Sequence, residues 1–330
     1  MRRRPARIAA ICGTLLVSAL FAYLALRNIR YDETWHALRS VNYWWLLPAM
    51  AALVVSTVAR AARWRVLYEP GRRPPLWETT KATLIGLFFN SILPLRAGEA
   101  ARIVAMKRYA AVSMAESTAT VAVERLFDVL GLLLLLFVTT PWLPHVSWLR
   151  SAAALGIVLL VGLIGSVAVV VLLGERPVRF LLRLVTKLPG LQDLEVERVA
   201  ANINRGLSPL RRAGHGLLGF AWTVFSWLVI ALSIWSLMVG FGLHLSFLAA
   251  VLTTVAVGLA FIVPAAPSAV GVFEAAAIAA TKAYGVPQSQ GLAFALVLHA
   301  LNLFPFIAAG LVLLAMLPRP GALRRAVDAP

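Results

Sequence analysis

Long apolar runs, separated by short polar segments, dominate the sequence. Six of them approach or exceed the roughly 20 mostly apolar residues that cross a bilayer as a helix. They cover residues 8–26, 43–62, 114–140, 151–174, 216–242 and 291–317. A helix satisfies its backbone hydrogen bonds within one segment, as the membrane interior requires. The pattern therefore predicts an all-α, polytopic membrane helix bundle with about six full spans.

Two further apolar segments, 79–109 and 245–284, are interrupted by helix-breaking residues. The first break contains Pro94 and Gly98, and the second contains two prolines and Gly271. Proline stops a helix and glycine releases it. Each half is short for a full crossing, so we predict two re-entrant helical hairpins, with a pair of tilted spans in each place as the alternative.

The two broken segments resemble each other weakly. Glu99 and Tyr109 have counterparts in Glu274 and Tyr284, 175 residues later in both cases. Repeats of opposite orientation, with broken helices meeting near the midplane, are a recurring transporter plan. The correspondence therefore predicts an inverted-repeat arrangement.

Charge predicts the orientation. The chain has 330 residues, 31 Lys plus Arg and 14 Asp plus Glu, for a formal charge of +17. With the N-terminus inside, 24 of the 31 basic residues lie on the cytoplasmic side and five outside. The positive-inside rule then predicts a protein of the inner (cytoplasmic) membrane with both termini cytoplasmic. Because the basic residues form short tracts between apolar runs, nucleic-acid binding is not expected.

The same layout gives the domain organisation. We predict one membrane domain over 1–330, with repeat-like halves at about 43–140 and 216–317. A cytoplasmic linker at about 175–215 would join them, and 318–330 would form a short cytoplasmic tail. In this layout the first hairpin opens to the inside and the second to the outside.

Charged residues within the apolar segments are the candidate functional groups. An ionisable side chain near the bilayer centre costs at least about 2.5 kcal/mol on insertion scales and usually marks function. At the first break, Arg96 lies at the tip, and Glu99 and Arg102 lie on one face of the returning helix. Free amides at such a helix start, beside an arginine, are expected to bind phosphate. Asn90 could add a hydrogen bond from the entering helix.

The long helix after the first hairpin carries Glu124, Arg125 and Asp128. These residues either hold helices together as buried ion pairs or bind substrate, and the two helix breaks favour substrate binding. Glu274 opens the returning half of the second hairpin. His299, in the last helix, is expected to be a hydrogen-bonded interior residue, with a proton carrier as the alternative.

Several motifs resemble one family. They are the stretch GLFFNSILPLRAGE at 86–99, Arg102, ERLFD at 124–128, the pair Arg63-Trp64, and PSAVGVFE at 267–274. Together they resemble the transmembrane region of lysylphosphatidylglycerol synthases. The turn at 266–269 and His299 depart from the pattern, which leaves the substrate open.

The resemblance implies a flippase-like integral membrane protein. Some members carry aminoacylated phosphatidylglycerol, and others are linked to polyprenyl-phosphate glycans. The soluble aminoacyl-transferase domain is expected to be absent. The implied substrate-binding residues are Asn90, Arg96, Glu99, Arg102, Glu124, Arg125, Asp128 and Glu274.

These observations predict a flippase or scramblase that moves a phosphate-bearing lipid through a charged midplane cavity. No cofactor is expected, and no catalytic motif is recognised, so we predict that the protein is not an enzyme. The expected partners are membrane lipids with anionic head groups, and also a lipid-modifying enzyme or glycosyltransferase. The alternatives are an ion or small-solute transporter, an intramembrane lipid-linked transferase, or an accessory to a glycosyltransferase.

Overall fold

The computed structural model describes residues 3–27, 29–93, 96–142, 213–261 and 266–316, together with isolated residues between 156 and 197. Within the continuous ranges the secondary structure is helical. The helices are α1 (Arg3–Leu26), α2 (Tyr31–Arg39), α3 (Leu46–Val66), α4 (Leu76–Ile92), α5 (Ala97–Ala110), α6 (Met114–Thr139), α7 (Ala213–Gly240), α8 (Phe247–Ala260), α9 (Val272–Lys282) and α10 (Gln288–Ala315). The predicted span at 151–174, the linker and the tail fall largely outside the described residues.

The protein is a polytopic helical membrane protein. Within the described ranges, three segments are long and apolar enough to cross a bilayer, namely Tyr43–Val66, Gly214–Gly240 and Gln288–Ala315. The helix α6 has 26 residues, which is long enough to cross, but it carries three charged residues within five positions. Those charges require polar partners inside the bundle.

The first predicted hairpin consists of α4 and α5, which pack against each other. Their lengths, 17 and 14 residues, correspond to about 26 and 21 Å, less than the roughly 30 Å hydrocarbon core. Arg96 makes the turn in the left-handed region, with φ 54°. A Cβ at Gly98 would overlap the carbonyl oxygen of Gly86, so the close contact of the two helices requires glycine there.

The second hairpin consists of α8 and α9, of 14 and 11 residues. Its tip contains the short 3₁₀ turn Pro267–Ala269, in which Ser268 and Ala269 both have φ 58°. Gly271 then begins α9 at φ 86°, and a Cβ there would collide with the carbonyl oxygen of Ser18 on α1. The break therefore positions α9 against α1.

The two hairpins open toward opposite ends of α3. Just before the start of α3, the Asn42 N–H donates to the Gly240 carbonyl at 2.9 Å. The apolar core at this end includes Leu245 and Tyr284, which flank the open end of the second hairpin. Just past the other end of α3, Tyr68 packs in a core with residues from the open end of the first hairpin. The tips meet where α4 contacts the Pro267–Ala269 turn. The two hairpins therefore have opposite orientations, as the predicted inverted arrangement requires.

One boundary differs from the sequence prediction. The helix α3 continues to Val66 instead of ending near residue 62, so Arg63 lies within it together with Arg60. Arg63 belongs to the basic residues that the sequence places at the cytoplasmic end, yet its side chain is buried, at 1% exposure. The physical reason is that the Arg63 guanidinium finds carboxylate partners on α6, which permits its burial.

Candidate functional site

A cavity of about 580 Å³ lies where the two hairpin tips meet α3, α6, α7 and α10. Its polar lining consists of Arg60, Thr83, Asn90, Ser91, Arg96, Glu99, Arg102, Glu124, Arg125, Asp128, Thr254, Ser268 and Asn302. The remaining wall is mainly aliphatic and aromatic, with Leu87, Leu132, Trp227, Ile230, Phe261 and Phe306 among its residues. A mostly apolar wall with a few convergent polar groups is typical of a ligand site.

Seven of the eight predicted site residues line this cavity. Asn90, Arg96, Glu99 and Arg102 come from the first hairpin and its tip, and the other three come from α6. Glu274 is not among the lining residues, and its carboxylate contacts the Gly271 N–H and His299 instead. Glu274, which was predicted to bind substrate together with the other seven, therefore does not border the cavity, because its own helix start and α10 supply its partners.

Glu124 is the centre of an ion-pair network. Its Oε2 atom accepts a hydrogen bond from Nη2 of Arg102 at 2.7 Å, and its Oε1 atom accepts one from Arg63. Arg63 also donates through Nη1 to Oδ1 of Asp128 at 2.5 Å. Arg63 and Glu124 are only 1% and 2% exposed. The network therefore links α3, α5 and α6 beneath the cavity.

A second set of contacts involves side chains that are more exposed than Arg63 and Glu124. Glu99 is 3.0 Å from Nη2 of Arg102 and 3.6 Å from Nε of Arg125. Nη1 of Arg125 is 3.2 Å from Oδ2 of Asp128. The Arg125 side chain is 41% exposed, unlike the deeper arginines. Arg125 is thus held by carboxylates on both sides while its side chain stays partly exposed, although its Nε atom is buried.

Arg60 and Arg63 are the two arginines of the site that residue-level reasoning missed, and of these Arg60 lines the cavity. The sequence pattern places both among the cytoplasmic basic residues, and Arg63 also belongs to a family motif. The neighbouring Trp64 donates from Nε1 to Oγ1 of Thr120 at 3.0 Å, and its ring lies 4.6 Å from the Arg102 guanidinium carbon. The available signal was an arginine three residues after Arg60 near the end of an apolar run, a spacing that places both on one helix face.

Positive charge exceeds negative charge at this site. Five arginines (Arg60, Arg63, Arg96, Arg102 and Arg125) face three carboxylates (Glu99, Glu124 and Asp128). Among the described residues, Arg60 and Arg96 have no carboxylate within 4.0 Å, although Arg60 lies over the Trp227 ring at 5.0 Å. Two positive charges in a largely apolar cavity favour the binding of an anion.

The start of α5 offers fewer free backbone amides for phosphate binding than the sequence suggested. The Gly98 N–H donates to Oδ1 of Asn90 at 2.9 Å, and the Glu99 N–H donates to the Arg96 carbonyl at 3.0 Å. These two amides are therefore not free to bind phosphate, and the expectation of free amides was wrong for them. The arginine side chains are the better anion donors.

The predicted hydrogen-bonding role of His299 is confirmed. Its Nδ1 lies 2.5 Å from Oε1 of Glu274, and its Nε2 lies 3.1 Å from Oγ of Ser268. Within the part of the chain that the structure describes, no group of three His, Cys, Asp or Glu side chains is arranged to hold a metal ion.

A sequence profile described as the lysylphosphatidylglycerol synthase TM region matches residues 11–310. The chain belongs to this family. The match covers the hairpins, α6 and the described helices that surround the cavity, so the predicted resemblance is confirmed. The family assignment, the apolar helices and the buried charges together make the chain an integral membrane protein.

Two archaeal membrane proteins are similar to the chain. A UPF0104 membrane protein of Methanocaldococcus jannaschii is 23% identical over 233 residues, which cover 71% of this chain and 95% of the relative. A UPF0104 membrane protein of Methanothermobacter thermautotrophicus is 26% identical over 285 residues, which cover 81% of this chain and 82% of the relative. Their names describe membrane proteins and state no substrate.

Proposed function

We propose that this family member moves a phosphate-bearing lipid across the cytoplasmic membrane. The observation that carries the proposal is that four arginines and three carboxylates line a mostly apolar cavity, and that two of these arginines, Arg60 and Arg96, have no carboxylate within 4.0 Å among the described residues. Arginine suits a phosphate because its planar guanidinium donates two parallel hydrogen bonds. The cargo would be a phospholipid, an aminoacylated phospholipid or a polyprenyl-phosphate-linked glycan.

The charged groups divide by exposure into two roles. Among the described residues Arg96 and Arg60 lack ion pairs, and the Arg125 side chain lines the cavity at 41% exposure, so these three would hold the phosphate. Glu99 and Asp128, which are 22% and 13% exposed, would accept hydrogen bonds from hydroxyl or amine groups of the head group. The buried Arg63 would then position the carboxylates and would not touch the cargo.

The opposed hairpins suggest how each leaflet gains access. Both tips border the cavity, and each hairpin opens toward a different end of α3. Movement of one tip at a time would expose the site first to one side and then to the other, as in transporters built from inverted repeats. The acyl chains would remain in the bilayer, so only the head group needs to fit the cavity.

Lipid exchange in vesicles tests the proposal. Purified protein would be reconstituted with a fluorescent phosphatidylglycerol, and the protected fraction would be followed after an impermeant quencher is added. We expect the protein to accelerate exchange and Arg96→Gln to slow it. Arg108→Gln, an exposed arginine near the other end of α5, is the matched control and should resemble the wild type. Exchange equal to that of protein-free vesicles for every lipid class would overturn the proposal.

The alternatives give different results in the same vesicles. Uptake of an entrapped organic anion without lipid exchange would identify a solute transporter. Formation of a modified lipid by the isolated protein would identify a transferase. A scaffold for a glycosyltransferase or another lipid-modifying enzyme would act only with that partner, and Arg125→Ala would leave its effect unchanged.

A further inference from the structure

At the tip of the second hairpin, three side chains form a hydrogen-bonded chain that the proposed head-group site does not use. Glu274 contacts Nδ1 of His299 at 2.5 Å, and Nε2 of His299 contacts Oγ of Ser268 at 3.1 Å. The second oxygen of the Glu274 carboxylate accepts the Gly271 N–H at 2.7 Å. Glu274 and His299 are 8% and 7% exposed, whereas Ser268 lines the cavity. The chain thus leads from a buried acid to the cavity.

The environment of the His299 imidazole is apolar. The Phe273 ring stacks on it, with ring centroids 4.4 Å apart. The helix α9 packs against α1, α8 and α10. The described side chains of these three helices include no Asp, Glu, Lys or Arg. Apart from His299, the titratable group among them is the Tyr23 phenol. The helix α4, which touches the turn, carries Glu78 and Lys81, paired with each other at 2.6 Å near its start.

Lys282 is the other charged residue of α9. It lies eight residues after Glu274, about 12 Å along the helix, near the open end of the hairpin. The His299–Glu274 pair therefore has no compensating cation beside it among the described residues. Its net charge is zero when the imidazole is protonated and the carboxylate ionised, and −1 after that proton leaves.

The order serine, histidine, glutamate also occurs in hydrolytic triads, but the backbone here argues against a nucleophilic serine. Such a serine needs preorganised donors for the developing oxyanion. The three amides that follow Ser268 already have acceptors. Those of Ala269 and Val270 donate to carbonyls within the turn at 2.9 and 3.4 Å, and that of Gly271 donates to Glu274. The arrangement suits proton binding better than attack on an ester.

We propose that His299 and Glu274 form a one-proton site whose occupancy is linked to head-group binding in the cavity. This inference rests on the proposed function. Ser268 connects the two sites, because its hydroxyl both donates and accepts. A deprotonated pair, with charge −1, repels an anionic head group, whereas a protonated pair does not. Proton and head group therefore strengthen each other's binding by the same factor, as thermodynamic linkage requires.

The pH dependence of lipid exchange tests this linkage. Exchange of the anionic probe would be measured at equal pH on both sides, from about pH 5 to 8. Wild-type exchange is expected to fall at least about fivefold across this range, a factor within the usual scale of coupling between sites. His299→Gln removes the titrating group and should flatten the profile. His36→Gln, on an exposed residue of α2, is the matched control and should retain the wild-type profile.

His299→Arg provides a second variant, because it places a permanent positive charge beside Glu274. It should exchange the probe with a flat profile, whereas a profile as steep as that of the wild type would overturn the proposal. An unchanged profile in His299→Gln would overturn it as well. So would covalent labelling of Ser268 by a fluorophosphonate, which would indicate a nucleophilic serine.

A direct titration separates this proposal from the proposed function. Histidine-labelled protein in zwitterionic nanodiscs would be followed by NMR, with His299 assigned by difference from His299→Gln. In measurements from about pH 5 to 8, we expect its imidazole to take up protons when phosphatidylglycerol is added. Constant protonation across that range would overturn the proton site even where lipid exchange occurs. Titration of His299 in protein that moves no lipid at any pH would support the proton site and overturn the proposed function.

Discussion

Arg63 shows how a charged residue becomes part of a membrane-protein interior. It lies in the last turn of α3 and contacts Glu124 and Asp128, which are one helical turn apart on α6. A lysine would supply a point charge, but the planar guanidinium reaches both carboxylates at once. The result is a fixed orientation for the two acids, both of which border the cavity and contact Arg125.

Replacing Arg63 with alanine should destabilise the protein by about 3–5 kcal/mol, because two buried carboxylates lose a shared partner. The measurement is the thermal or denaturant unfolding midpoint of the purified protein in detergent. Arg63→Lys should recover part of the loss. Arg72→Ala, at an exposed position in the loop after α3, should change stability little. Equal midpoints for Arg63→Ala and Arg72→Ala would contradict the assigned role.

At this scale the sequence identified the charged residues but not all of their partners. Glu124, Arg125 and Asp128 stood out because apolar residues surround them. Arg63 sits in a basic tract beside Arg65, so it resembled a cytoplasmic flank. Only the packing of α3 against α6 distinguishes the two arginines. Arg65 donates instead to the Pro74 carbonyl at 3.0 Å.

The two hairpins are the elements that form the site. In α4 and α5, the Gly98 and Gly86 positions allow the backbones to approach closely, and Asn90 satisfies the first turn of the returning helix. That approach brings Arg102 against Glu124 at 2.7 Å. The hairpin therefore determines both the shape of the cavity and the register of its charges.

Gly98→Ala should disturb this element more than an alanine substitution elsewhere. Its Cβ would overlap the Gly86 carbonyl oxygen and the Asn90 side chain, and such overpacking typically costs about 1–3 kcal/mol. We expect a lower unfolding midpoint and slower lipid exchange. Gly13→Ala, on α1 with no atom within 4 Å of the added Cβ, is the control. Wild-type stability and exchange in Gly98→Ala would show that the close approach is not required.

Both breaks could be predicted from proline and glycine, since local backbone chemistry determines them. The direction in which Glu274 points could not. Its position at the start of α9 matches that of Glu99 in α5, yet its carboxylate folds back onto the Gly271 N–H and meets His299. The sequence repeat predicts equivalent places in the fold, but the neighbouring helix decides which contacts are made there.

On the scale of the whole molecule, the end of the bundle where the first hairpin opens carries a group of basic residues. Among the described residues, the last turn of α3, the loop after it and the last turn of α5 contribute Arg65, Arg72, Arg73, Lys107 and Arg108 at this end. At the opposite end, α2 carries Asp32 and Glu33 beside its basic residues. By the positive-inside rule, this basic end is expected to face the cytoplasm, which is the orientation that the sequence predicts.

Cysteine accessibility tests this orientation. On a Cys12→Ser background, Ser40→Cys and Gly71→Cys would each introduce one exposed thiol at opposite ends of the bundle. In intact cells, an impermeant maleimide should label Ser40→Cys at once and Gly71→Cys only after permeabilisation. The reverse pattern would place the first hairpin on the outer side and contradict the predicted topology.

The central claim is that excess positive charge in the cavity selects an anionic head group. Its most direct measurement is the ratio of exchange rates for fluorescent phosphatidylglycerol and phosphatidylcholine in the same vesicles. The wild type should give a ratio well above one. The double variant Arg60→Gln/Arg96→Gln, which removes the two arginines without ion pairs, should bring the ratio close to one, while Arg108→Gln should leave it unchanged. A ratio that the double variant does not alter would contradict the account.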